Sequence, residues 1–143
     1  MKIKMLIVVD ANRIFSALLT KGKAFDIFLT NHLIRKFDFI APEYLFLEIG
    51  KHIGEIVKRC KLSKDELGEV FEFMKKQIII ISSKEFIEYK NEAMKISPHS
   101  KDVPYFALAL AFNAAIWSDE KAFKKQNKVK IFSTEELKKI LYE

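Results

Sequence analysis

Short runs of β-branched and other apolar residues alternate along this chain with stretches in which apolar positions recur every three or four residues. Ile3 to Val9 is such a run, with no polar alternation after Lys4 and a stop at Asp10, the pattern of a strand buried on both faces. From Arg13 to Leu19 and from Ala24 to Ile34 the spacing becomes helical, with Gly22 as the break between two helices. Phe37 to Ala41 reads as a second strand. Pro42 then stands at a helical first turn, and Tyr44, Leu45, Leu47, Ile49, Ile53, Ile56 and Val57 mark a long amphipathic helix that carries Glu48 in its first two turns. Ser63-Lys64-Asp65-Glu66 is a capping box that opens a helix through about Lys76. Ile78 to Ile81 predicts a third buried strand, and Lys84 to Lys95 a short helix. After the loop from Ser97 to Lys101, Asp102 to Asn113 is helical and apolar almost all round, so it must be buried on several sides. Ala114 to Ser118 is a fourth strand, Glu120 to Lys125 a helical turn or two, Val129 to Phe132 a fifth strand, and Thr134 to Leu141 a capped closing helix. This alternation predicts an α/β fold, a three-layer sandwich around a central, mostly parallel five-stranded sheet.

With 143 residues, half of them hydrophobic, residues 1–143 suit a single domain; no internal repeat, low-complexity tract or linker divides them. Lys and Arg number 25 against 19 Asp and Glu, and the net charge of +6 favours a polyanionic partner over an acidic protein surface, unless it is merely a solvated lysine-rich face. The lone Cys60 excludes an intramolecular disulfide and suits a reducing cytoplasm. The apolar run after Lys4 is stopped by Asp10 before it reaches the length of a signal-peptide core, and no apolar stretch approaches the roughly 18 residues that a membrane span needs.

The candidate chemistry lies in scattered carboxylates. In open α/β sheets functional groups gather beyond the carboxyl ends of the strands, where strand order reverses. Asp10 and Asp119-Glu120 follow two strands directly, while Glu48 and Asp102 sit near helix starts that follow strand ends. Packed together without a cation they would repel and raise one another's pKa, so such a cluster is metal-bound or partly protonated. Oxygen-only donors favour Mg²⁺ or Mn²⁺ over zinc. Each acid has a plainer reading: Asp10, Asp102 and Asp119 as helix or turn caps, and Glu48 as a solvated side chain beside an apolar face.

The whole set, in order along nearly the full chain, resembles the PIN domain nucleases. Val8-Val9-Asp10-Ala11-Asn12 is similar to the family's opening motif, and Ala41-Pro42-Glu43-Tyr44-Leu45-Phe46-Leu47-Glu48 to its second. Lys101-Asp102-Val103-Pro104-Tyr105-Phe106-Ala107-Leu108-Ala109-Leu110 resembles the third, the most specific stretch, and Trp117-Ser118-Asp119-Glu120-Lys121-Ala122-Phe123 the fourth. In the usual fourth motif an Asp stands two residues after Ser or Thr; here that place holds Glu120, and Asp119 occupies the variable middle position. Where many relatives carry an acid before the third Asp, this chain has Lys101. The resemblance implies that Asp10, Glu48 and Asp102 hold a first metal, with Asp119 or Glu120 completing the site or binding the attacking water, and with Asn12 and Ser118 as supporting hydrogen-bond groups. Fewer acids beside Asp102 leave tight binding of a second metal open.

The function so implied is a metal-dependent endoribonuclease that hydrolyses RNA with water as nucleophile. Small single-domain relatives are often toxins restrained by a cognate antitoxin, and relatives commonly dimerise; apolar residues between Leu62 and Lys76 serve either an interface or the core. Arg13, Lys21, Lys23, Lys51, His52, Lys101, Lys121, Lys124 and Lys125 are candidates for tracking a phosphate backbone. His32, His52 and His99 lack metal-ligand spacing, and the many Phe residues and Trp117 fall at core positions. The competing reading is a PIN-fold RNA-binding module that has lost efficient metal binding through the Glu120 and Lys101 departures. A phosphoryl-accepting receiver domain lacks its Asp at the third strand, which ends in Ile81-Ser82-Ser83, and a haloacid-dehalogenase-type phosphatase would need Asp where Asn12 stands.

Overall fold

The computed structural model describes residues 4–20 and 22–143; Ile3, where the first strand was expected to begin, and Lys21 lie outside the described residues. Five strands form one sheet: β1 (Met5–Val9), β2 (Phe37–Pro42), β3 (Ile78–Ile81), β4 (Ala115–Trp117) and β5 (Ile131–Phe132), in the order β3-β2-β1-β4-β5. Every pairing is parallel, with Val8 opposite Ile40 on one side and Ile116 on the other. The central strand explains its own composition: Ile7, Val8 and Val9 are fully buried, as a strand covered on both faces must be.

The helices are α1 (Ala11–Thr20), α2 (Lys23–Ile34), α3 (Tyr44–Arg59), α4 (Lys64–Lys75), α5 (Lys90–Ile96), α6 (Val103–Phe112) and α7 (Thr134–Leu141). Helical crossovers carry the chain from β1 outward to β2 and β3 on one side of the sheet, then back to β4 beside β1. Accordingly α1 packs with α2, α3 and α4, whereas α6 lies against β1, β2 and β4 with α5 upon it. Tyr105, Phe106, Ala107, Leu108 and Ala109 of α6 are buried in succession, so the helix needs no polar face. Each large apolar side chain buried there contributes roughly 1.5–3 kcal/mol. The apolar residues Leu67, Val70 and Met74 of α4 are part of the same core.

Two local devices hold the frame. Ser63 and Glu66 close the expected capping box of α4, and Ser133 and Glu136 close another at α7. Asn31, buried in α2, donates to Phe37 O and accepts from the backbone N–H of Lys36 and Phe37, which locks the α2–β2 turn behind Arg35 in the left-handed conformation.

Some expected elements differ. Lys84 to Lys95 is not one helix: Ser82 caps a 3-10 turn, Ser83–Glu85, a second covers Ile87–Tyr89, and α5 starts only at Lys90. Between the turns Phe86 leaves helical geometry at φ −134° and is buried in the core, so packing overrides local propensity. The segment after Glu120 is a 3-10 turn, Lys121–Lys125, and β5 is shorter than its apolar run. Among the described residues no helix is long and apolar enough to cross a membrane.

Candidate active site

Strand order reverses between β1 and β4, and the chain leaves both strands at the same edge. Asp10 emerges from β1 with only 4 % of its surface exposed, and its backbone N–H still pairs with Trp117 O of β4. Ser118, leaving β4, donates its hydroxyl to Asp10 Oδ2 at 3.1 Å. The N–H of Asn12 also faces the Asp10 carboxylate, so the supporting contact from Asn12 comes from its backbone, while its side chain is exposed. Burial, reinforced by the nearby Asp102 charge, pushes the Asp10 pKa up to about 6 against the opposing pull of Ser118, Asn12 and Arg13.

Asp102 arrives from the other face of the sheet, at the end of the 3-10 turn Ser100–Asp102 and directly before α6. It stands at the N-cap position without making a side-chain cap, and with Pro104 in the first turn the helix has one fewer donor to satisfy. Its carboxylate is buried, and Oδ2 has no hydrogen-bond partner among the described residues. Burial, followed by Glu120, raises its pKa to about 6; Lys101 and His99 oppose the rise and Glu48 adds to it. Glu48, half-buried on α3, accepts the Tyr105 hydroxyl at 2.6 Å. Burial and that bond to Glu48 push the Tyr105 phenol far up, so it stays a donor.

Glu120 and Asp119 part company. The Glu120 backbone N–H donates to Ser118 Oγ, its backbone is extended at φ −76° and ψ 117°, and its carboxylate acts on Asp102. Asp119 faces elsewhere: Oδ1 accepts from the Thr134 N–H at 2.6 Å, and Oδ2 from the Thr134 hydroxyl at 2.7 Å and from the Arg13 guanidinium. The Thr134 hydroxyl in turn accepts from Trp117 Nε1 at 3.0 Å. Asp119 therefore clamps the start of α7 to α1 and β4. Tyr105 and Thr134 had not been singled out from the sequence. The signal for Tyr105 was its place three residues after Asp102, one turn into the same helix; Thr134 gave none beyond its helix start.

The basic residues divide in the same way. Arg13 is held by Asp119, Lys23 by Glu135 at 2.7 Å, and Lys124 by Glu136. Lys51 lies over the Tyr44 ring, and His52 stands edge-on to Phe15 and 3.7 Å from Glu55. His32 packs edge-on against Phe73. His99, Lys101, Lys121 and Lys125 remain on segments that lead into or out of the acidic residues, and they are exposed.

The site is thus a set of oxygen donors, Asp10, Asp102, Glu48 and Glu120, linked electrostatically through Asp102 and held by Ser118 and Tyr105. Among the described residues no three His, Cys, Asp or Glu side chains are already arranged to hold an ion. The donor chemistry nevertheless fits a hard divalent cation: two raised, buried carboxylates, one with an unpartnered oxygen, are relieved by positive charge. A concavity of about 940 Å³ opens near Lys4, Ala114, Lys128 and Lys130 at the amino ends of β1 and β4, and none of these donors lines it.

The PIN domain family profile matches residues 8–141, nearly the full length, and the chain belongs to that family. No curated protein matches it. Among solved structures the chain is similar to VapBC2 from Rickettsia felis, solved bound to a DNA fragment from their promoter, with 12 % identity, a TM-score of 0.65, and 90 % of this chain and 98 % of that one covered. PAE2754 from Pyrobaculum aerophilum is similar with 13 % identity, a TM-score of 0.68, and 96 % and 90 % covered. At such identities the likeness is one of fold.

Proposed function

We propose that this chain is a divalent-metal-dependent endoribonuclease, with Asp10, Glu48, Asp102 and Glu120 as its acidic ligands. The observation that carries the reading is Asp102: a buried carboxylate with an unpartnered oxygen, beside three other acids at the strand-order reversal of a PIN domain. A bound Mg²⁺ or Mn²⁺ would lower the pKa of a water molecule and offset charge on the scissile phosphate. Ser118 fixes the rotamer of Asp10 from behind, and Tyr105 does the same for Glu48. Glu120, half-buried at the edge of the set, would complete the ligand set. Asp119 acts as a positioning residue, keeping β4 and α7 in register behind Glu120.

The proposal extends to a toxin of a toxin–antitoxin pair working in the cytoplasm. Membership of the PIN domain family, the lone Cys60 and the fold shared with VapBC2 from Rickettsia felis support that role. A cognate antitoxin would then cover the acidic edge.

The test is cleavage of a mixed single-stranded RNA pool with Mg²⁺, Mn²⁺ or EDTA, by wild type and by Asp102→Asn, which keeps shape and removes charge. Metal-dependent cutting that disappears in the variant supports the nuclease. Equal inactivity of both, with salt-dependent RNA binding retained, points instead to the binding module.

A further inference from the structure

Next to the acidic set lies a second concavity of about 440 Å³, walled on one side by Lys95, Pro98 and His99 and on the other by Ala122, Lys125 and Gln126. Among the described residues no carboxylate lines it. From these features, and resting on the ribonuclease reading above, we infer that the cavity is a phosphodiester subsite, which holds the backbone of single-stranded RNA on one flank of the scissile bond.

Each wall of the cavity is continuous along the chain with one of the acids. His99 O accepts the N–H of Asp102 at 3.0 Å, so the wall carrying Lys95 and His99 runs directly into Asp102. Lys125 ends the 3-10 turn that begins beside Glu120. A chain lying in the cavity is therefore led to the carboxylates from either wall.

Both walls are also rigid, which a subsite requires. The Ser97 hydroxyl and N–H both donate to Ala93 O, closing the end of α5 that bears Lys95. Gln126 donates to Phe123 O and Val129 O and accepts from the N–H of Lys128 and Val129, which pins the turn that bears Lys125. Lys95 and Lys125 are exposed and make no ion pair among the described residues, unlike Lys23 and Lys124. Their charge is free for a polyanion. The larger basic concavity, which shares Gln126 with this one, has Glu136 in its lining and opens along the amino ends of β1 and β4.

The experiment measures binding of a fluorescein-labelled single-stranded RNA to the full chain in EDTA by anisotropy, across a salt series, for wild type, Lys95→Gln/Lys125→Gln and the control pair Lys138→Gln/Lys139→Gln on α7. Loss of two phosphate contacts on single-stranded RNA predicts a salt slope shallower by about 1.4 and an affinity lower by roughly tenfold for the first pair, with the control unchanged. All four lysines are exposed, so the folded state survives the substitutions. If the first pair matches wild type in slope and affinity while metal-dependent RNA cleavage persists, the subsite is overturned and the nuclease reading stands. If wild type neither binds nor cuts RNA, both fall. Tighter binding of duplex DNA with the same two-lysine dependence would also overturn the RNA assignment.

Discussion

The hydroxyl of Tyr105 on α6 donates to Glu48 on α3 across 2.6 Å, joining helices from opposite faces of the sheet at the edge where the acids gather. Phe at position 105 would keep the buried ring and remove only this donor. The expected result for Tyr105→Phe is a loss of stability of about 1 kcal/mol, with metal affinity or kcat down about tenfold, because Glu48 loses the group that orients it. Thermal unfolding and Mn²⁺ titration read the two effects separately.

Asp119 and Glu120 are adjacent in sequence and differ in task. Glu120→Gln should leave stability within about 0.5 kcal/mol of wild type while lowering metal-dependent cleavage by roughly a hundredfold. Asp119→Asn should cost about 1–3 kcal/mol of stability, since it weakens the bonds from Arg13 and Thr134, with the smaller effect on cleavage. Denaturant unfolding set against initial rates distinguishes them.

The frame of this molecule was written in its apolar pattern. β1 and β3 are unbroken apolar runs and α6 is apolar all round; Ile7 to Val9 and α6 are buried as that predicts, whereas β3, at the sheet edge, buries only Ile78 and leaves Ile79 exposed. The acids could be placed at one edge because helix starts follow strand ends. What the pattern did not carry was side-chain direction. Extended backbone turns successive residues to opposite sides, so Ser118 and Glu120 face Asp10 and Asp102 while Asp119 faces Arg13. That alternation was available in the sequence, but only once the backbone after β4 was known to stay extended. Arg13 is one of several candidates for a phosphate contact by sequence, and nothing local reveals its partner Asp119, 106 residues away. The helix expected from Lys84 to Lys95 breaks at Phe86 because the core takes its ring.

Stability should depend on pH in a direction set by Asp10. Its folded pKa of about 6 lies above the ordinary 3.8, so the folded state binds the proton more tightly than the unfolded one. The associated stability is fully present below about pH 3.8 and is lost as pH rises through 6. Without metal, Asp10→Asn should therefore be more stable than wild type at pH 7.5, by about 1–3 kcal/mol, and the difference should shrink toward pH 4. Urea unfolding in EDTA at the two pH values measures it; a difference that grows on acidification would contradict the sign.

A cation competes with the same protons. Mg²⁺ or Mn²⁺ affinity should fall by about tenfold or more per pH unit below 6, as Asp10 and Asp102 take up protons. Isothermal titration at pH 5 and pH 7 checks this.

The central claim is that Asp10, Glu48, Asp102 and Glu120 hold a divalent ion. Its most direct test is Mn²⁺ binding followed by electron paramagnetic resonance at pH 7.5, on wild type and Asp102→Asn. The account predicts saturable binding by wild type, weakened at least about a hundredfold in the variant because a buried ligand charge is lost. Equal binding by the two proteins, or no saturable binding by wild type, would contradict it.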